Sequence, residues 1–364
     1  MRFIPTFCLK EGMVLGKSIY NKTGALLLKK GLTVKEQYIE KVIEIGIQGI
    51  YIEDHISEGI EIENIINDEL RLETVQKIKS IFIDIEAGTA EVEKKMYSMN
   101  LLVEDIVDEL IQNRNVMVNM IDIKLFDDYT FFHSVNVAVL SIIIGMGLDL
   151  NKEDLANLGM GAILHDLGKV FINIECLNKQ GKLTDEEFEQ MKRHPVEGYK
   201  YIRSKFNIPV QASMAVLQHH EKFDGTGYPH KKVGTDISLF GRIVAIADVY
   251  DAITSERPYR KAILPSKAME YIMGGAGNHF DFELISIFIS KVAAYPVGTC
   301  VKLSNGLTGI VVENFSDAST RPKVRLIEQT TEEIIGEVDE EARYINLKED
   351  FRNNNITIVD IINL

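Results

Sequence analysis

The sequence predicts a mainly α protein, with a small α/β unit at the N-terminus and a small β-rich element at the C-terminus. Three observations carry that prediction. Apolar residues recur at helical spacing from about 60 to 293. A hairpin, helix and strand pattern fills residues 1–58, and β-branched residues with Gly and Asn-Gly turns take over after Tyr295-Pro296. A chain of 364 residues has room for two or three domains, and 46% hydrophobic with 26% charged residues is the composition of an ordinary globular protein.

In chain order, Ser18–Tyr20 and Ala25–Leu28 flank NKTG and read as a hairpin. Thr33 and Glu36 have capping-box spacing and predict a helix with Ile39, Val42 and Ile43 on one face. Gly46 and Gly49 are expected to end it, before a strand at Ile50–Ile52. Residues 59–100 read as a helical linker, interrupted by EAGTAE at 86–91. The helical pattern from about 60 to 125 is either a signalling or dimerising helix pair, or solvated helices packed on their own domain. A helical domain is expected over 101–294, with GGAGN at 274–278 as a helix stop, and a β-rich extension over 295–364.

The longest apolar run, Val135–Leu148, contains Asn136 and Ser141 and is too short to span a bilayer, so it predicts a buried helix and no membrane insertion. Pro5 and Lys10 interrupt any secretory leader, which makes the cytoplasm the expected location. Cys8, Cys176 and Cys300 are few and scattered, suggesting neither a disulfide framework nor a thiolate metal site. A net charge of −14 argues against a nucleic acid polymer as partner, because such binders present a basic face to phosphate. It leaves room for a small phosphorylated substrate beside bound cations.

Five of the eight histidines lie in segments with a common logic. His133 is in FFHSVNVAVL, His165 and Asp166 are in GAILHDLGK, and His194 is in MKRHPVEG. His219 and His220 are in LQHHEKFDGTGYP, and Asp248 is in RIVAIADVYDAITS. A single histidine such as His133 is commonly a hydrogen-bonded core residue. Carboxylates amid Ala, Ile, Leu and Val are costly to bury unless paired, hydrogen-bonded or metal-bound. An Asp beside a His is also compatible with a cap or a salt bridge. Recurrence on separate helices favours a shared site, and imidazole with carboxylate and no thiolate suits iron, manganese or zinc.

His133, His165-Asp166 and Asp248 resemble the ligands of the HD-domain metal-dependent phosphohydrolases. His194, His219, His220 and the run Gly227-Tyr228-Pro229 extend the resemblance to the HD-GYP group, over roughly residues 100–295. The flanking segments also resemble those seen on such proteins. The resemblance implies hydrolysis of cyclic di-GMP to pGpG, often continuing to GMP, by two divalent metal ions, iron or manganese. His133, His165, Asp166 and Asp248 would hold one ion. Asp166 would bridge to a second, held by His194, His219 and His220. Such a pair lowers the pKa of a bridging water and neutralises developing charge.

Lys169 lies four residues after His165, so on a continuing helix it would share that face. By resemblance it points to the scissile phosphate; the alternative is a surface lysine at a helix end. Asp251 is a candidate proton donor to the leaving oxygen, with a capping or salt-bridging role as the alternative. Arg257 and Arg260 in RPYRK would grip phosphate or the guanine edge with their planar forks. His55, His230 and His279 are assigned no role. Some members of the family hold a third ion through a glutamate four residues before the first ligand histidine. Tyr129 stands there, and Asp128 is roughly 100° round the helix, so two ions are expected. The competing readings are a hydrolase of another cyclic dinucleotide and a receptor or scaffold that binds without turnover. A homodimer or a signalling protein is the expected macromolecular partner.

Overall fold

The structure, a computed structural model, describes residues 1–20, 26–45, 47, 49–114, 117–118, 129–177, 179, 181–255, 262–327, 343–350 and 355–364, with the backbone alone at 129 and 130. The chain divides into two compact units. The first gathers both ends, Met1–Asn64 and Val292–Leu364, and the second holds Ile65–Asn115 and Asp128–Lys291.

In the first unit, strands β1 (Arg2–Pro5), β2 (Val14–Leu15) and β5 (Gly49–Glu53) form an antiparallel sheet in the order β1-β5-β2. The predicted hairpin is the pair β3 (Ile19–Tyr20) and β4 (Leu26–Leu28), with its turn outside the described residues. Helix α1 (Glu36–Glu44) starts later than Thr33 implies. Lys35 precedes it with no side-chain cap, and Thr33 pairs instead with Val14 in an isolated bridge. Ile43, expected inward, is 56% exposed, while Val42 is buried. Gly49 does not stop the helix but opens β5, and Gly46 lies outside the described residues. A Cβ at Gly49 would stand 2.1 Å from the Phe3 ring, so glycine is what lets β1 and β5 pair.

The second unit is helical, comprising α2 (Asp68–Ala87), α3 (Val92–Gln112), α4 (Tyr129–Gly147), α5 (Lys152–Ile163), α6 (Ile174–Leu177), α7 (Asp185–Met191), α8 (His194–Lys205), α9 (Val210–Gln218), α10 (Leu239–Thr254), α11 (Pro265–Gly274) and α12 (Phe282–Lys291). Gly88, left-handed at φ 67°, ends α2 within the predicted break. Residues 59–100 thus contribute α2 and the start of α3, which pack on each other and on α4 and α5 of their own unit. The apolar helix α4 lies against α5, α10 and α12, while α9 packs on α5, α8 and α10. Among the described residues no helix is long and apolar enough to cross a membrane.

The C-terminal strands β6 (Cys300–Leu303), β7 (Thr308–Glu313), β8 (Lys323–Leu326), β9 (Tyr344–Asn346) and β10 (Ile358–Ile361) form an antiparallel sheet in the order β10-β6-β7-β8-β9. The two chain ends share a core: Tyr51, Ile60 and Ile62 pack with Cys300 and Ile310. Arg325 seals it, its guanidinium donating to the carbonyls of Ile56 at 2.7 Å and Glu58 at 2.8 Å.

Candidate metal centre

The helical unit brings the predicted ligand residues together from five segments. His133 is one turn into α4, and Asp248 is on α10. His165 and Asp166 occupy the turn between α5 and a 3-10 helix at Leu167–Phe171. His194 opens α8, His219 caps the C-terminus of α9, and His220 follows it. Among the described residues three donor groups emerge: His133, His165 and Asp166; His194, His219 and His220; and His165, His219 and Asp248, each with donor atoms within 4.8 Å of one another.

Local chain geometry sets the ring orientations. The Nδ1 atoms of His165, His194 and His219 face the carbonyls of Ala162, Met191 and Val216, each three residues back, at 2.7, 2.7 and 2.8 Å. Carbonyls at a helix C-terminus lack partners within the helix. A carbonyl only accepts, so each Nδ1 carries the proton and each Nε2 presents a lone pair. His194 Nε2 and His219 Nε2 then stand 3.2 Å apart as two acceptors. Burial lowers the pKa of His194 to about 3, lowers His219 well below its ordinary value, and lowers His220 to about 4. Neutral lone pairs aimed at each other fit a shared cation. Two donors each about 2.1 Å from one ion, at right angles, would be about 3 Å apart. Nε2 of His165 is also buried without a hydrogen-bond partner.

Asp166 faces both sides. Its Oδ1 is 3.4 Å from His194 Nε2, and its Oδ2 is 3.3 Å from His165 Nε2 and 4.0 Å from His133 Nε2. Burial alone would raise its pKa, but Lys169 and the surrounding imidazoles outweigh that and hold it well below the usual range. The donor set therefore fits divalent cations: neutral imidazoles, ionised carboxylates and a carboxylate with one oxygen toward each cluster.

His133 differs from the other rings. Its Nδ1 is 2.7 Å from Asp251 Oδ2, and its Nε2 is 3.1 Å from Asp248 Oδ1. Burial lowers its pKa, yet these two carboxylates more than compensate and hold it at about 9. A cation binding here displaces a proton. Asp251 is fully buried, and its Oδ1 accepts from Asn136 Nδ2 at 2.9 Å. Of the two roles read for Asp251, this is the salt-bridging one. Both oxygens are engaged inside the core, which leaves no exposed acid to meet a leaving group.

Lys169 does not continue a helix from His165, because α5 ends at Ile163. It reaches the site from the 3-10 turn, with Nζ 2.5 Å from Asp166 Oδ2 and a side chain 34% exposed. Gly168 allows this: a Cβ there would lie 1.9 Å from the His194 carbonyl oxygen. The Tyr228 ring lies against His220 with centroids 4.7 Å apart. Arg257, Arg260 and Asp128 lie outside the described residues, as does the Tyr129 side chain. His279 stacks on Phe280 and is a member of none of the donor groups. Sequence reasoning missed Asn136, Gly168 and Glu221. Asn136 did signal itself as the polar interruption of an apolar run, three residues after His133.

Residues 109–284 match the family described as HD domain. A cyclic di-GMP phosphodiesterase of Pseudomonas aeruginosa is 36% identical over 225 residues, covering 62% of this chain and 54% of that protein. The 3'3'-cGAMP-specific phosphodiesterase 1 of Vibrio cholerae is 36% identical over 190 residues, covering 52% of this chain and 43% of that one. The chain thus spans about half the length of the curated relatives it matches. An HDG"Y"P protein from Bdellovibrio bacteriovorus shares the fold, with a TM-score of 0.52 over 79% of this chain and 97% of its own, at 18% identity. The HD pair, the HH pair and the Gly-Tyr-Pro loop beyond them all lie within residues 109–284, the stretch that matches the HD domain family.

Proposed function

We propose that the chain is a metal-dependent phosphodiesterase that hydrolyses cyclic di-GMP to pGpG and onward to GMP. The carrying observation is Asp166, whose two oxygens face separate imidazole clusters. His133, His165, Asp166 and Asp248 would hold one divalent ion, and Asp166, His194, His219 and His220 a second, with iron or manganese taken from the family resemblance among the metals that these donors suit. Bound there, such ions lower the pKa of water and neutralise charge on a phosphodiester.

The chain's own residues supply the rest. Asp251 fixes the His133 ring and tautomer, the part played by carboxylates behind ligand histidines generally. Lys169 rests its ammonium on Asp166 and is about one-third exposed to solvent, placed to follow a phosphate oxygen as charge develops. Arg257 and Arg260 would grip phosphate or the guanine edge. Residues 101–294 would form the catalytic domain, and the segments 1–58 and 295–364 would serve regulation rather than chemistry.

Cyclic di-GMP as substrate is supported by the printed activity of the Pseudomonas relative, and 3'3'-cGAMP by that of the equally identical Vibrio one. Metal analysis of anaerobically purified protein, with product analysis on both dinucleotides, tests the reading. Two ions per chain and faster conversion of cyclic di-GMP are expected. Faster turnover of 3'3'-cGAMP would reassign the substrate. Binding with no product after metal reconstitution would make the protein a receptor.

A further inference from the structure

Each ring ligand but one has a hydrogen bond that orients it. His165, His194 and His219 lean on carbonyls of their own preceding turns, and His133 leans on Asp251. Among the described residues His220 has no such bond, although it is partly exposed and ends the ligand pair. Its ring is laid instead against Tyr228, with 27° between the planes. We propose that Tyr228 is a positioning residue that holds the His220 ring by stacking, and that the buried carboxylate of Glu221 locks the loop carrying Tyr228 in place. This rests on the metal-centre reading above and adds a task for the Gly-Tyr-Pro loop within it.

The loop is built to return onto the histidine pair. The Tyr228 N–H donates to the His220 carbonyl at 3.1 Å. Gly227 makes that return possible, since a Cβ there would lie 2.2 Å from Lys222 N and 2.5 Å from Glu221 Cα. Glu221 is 2% exposed, and its two oxygens accept the N–H groups of His230 at 2.7 Å and Lys232 at 3.1 Å. The residue directly after His220 therefore fixes the chain just beyond Tyr228-Pro229. Ring, carbonyl contact and carboxylate clamp form one closed circuit over residues 220–232. Burial also keeps the Tyr228 phenol protonated, by raising its pKa far above the ordinary value. The useful surface is thus the ring face rather than an ionised oxygen.

Calorimetric titration of the metal-free 364-residue chain with Mn²⁺ tests this through binding alone. Tyr228→Phe keeps the ring and is expected to match the unaltered protein at both ions, within about 2-fold. Tyr228→Leu removes the ring and is expected to weaken one ion by about 10-fold and spare the other, the loss typical when a ligand's supporting partner is deleted. Glu221→Gln turns an amide N–H toward a backbone N–H and is expected to weaken the same single ion. Unchanged affinity in Tyr228→Leu, or equal weakening in Tyr228→Phe, would overturn the stacking role. Loss of both ions together with helical circular dichroism in Tyr228→Leu would overturn it too, by making the ring a general packing element. Failure of the unaltered protein to bind Mn²⁺ would instead remove the metal-centre reading itself.

Discussion

Asp166 has no substitute among the residues around it, because it faces both clusters at once. Asp166→Ala is expected to release metal and cut turnover by at least ~100-fold, read by metal analysis and product assay. Lys169→Ala is a contrasting case. Metal content should stay intact while the turnover number falls by about 10²-fold, as for loss of a contact made in the transition state. Metal loss in that variant would make Lys169 structural. Asp251→Asn should weaken metal binding about 10–100-fold while the chain stays folded, because the amide still accepts from Asn136 but supports the His133 ring less. Unchanged affinity would leave Asp251 as core polarity only. His165-Asp166 and His219-His220 were legible as the conspicuous runs HD and HH, whereas His133, His194 and Asp248, each ambiguous alone, were legible through their recurrence on separate segments and the family resemblance. Asp251 was ambiguous and Asn136 overlooked for one reason: their partnership spans 115 residues of chain, and only folding reveals it.

At the scale of elements, the turn bearing Asp166 and Lys169 meets the start of α8 through two glycines. A Cβ on Gly168 would overlap the His194 carbonyl, and one on Gly198 would stand 3.0 Å from Gly168 N. Gly168→Ala should therefore cost at least 1–3 kcal/mol, read as a lower denaturant midpoint, and should weaken metal binding by shifting His194 from Asp166. A variant as stable as the parent would mean the two elements part freely. The helical character of residues 60–293 was legible from apolar periodicity, and the break after α2 from the run that holds Gly88, whereas short helices such as α7, with no buried residue, carry no such pattern. The start of α1 was not, since Thr33 is drawn into a bridge with Val14, a tertiary contact that overrides capping preference. Nor was the continuity read from His165 to Lys169, because α5 gives way to a tighter turn just where the ligands must point inward.

For the molecule as a whole, the centre couples metal, protons and stability. Chelation is expected to lower the midpoint of thermal unfolding by roughly 5–10 °C, since an ion at 100 times its Kd stabilises by about 2.7 kcal/mol. An unmoved midpoint would exclude linkage between metal and folding. In the chelated chain, His194 and His220 titrate at about 3 and about 4, against 6.5 when unfolded. Below pH 6.5 the unfolded chain takes up protons that the folded one refuses, so stability falls steadily toward pH 3–4. His133 works in the other direction: its folded value of about 9 gives stability that is whole below 6.5 and lost as pH rises through 9. Denaturant midpoints of chelated protein at pH 5, 7 and 9.5 should peak in the middle, and a flat series would contradict the burial of these rings as neutral donors.

Arg325 reaches carbonyls 267 and 269 residues earlier in the chain. A ribosome adding roughly 5–20 residues per second needs on the order of 10–50 s to supply that arginine after residue 58 is made. For most of that interval Tyr51, Ile60 and Ile62 lack Cys300 and Ile310, the partners that complete their cluster. Most of the helical unit is synthesised meanwhile and has time to acquire its core. The unit that joins residues 1–64 to 292–364 is the last to close, so the synthesis of its second segment, rather than the emergence of its first strand, sets the moment at which it can fold.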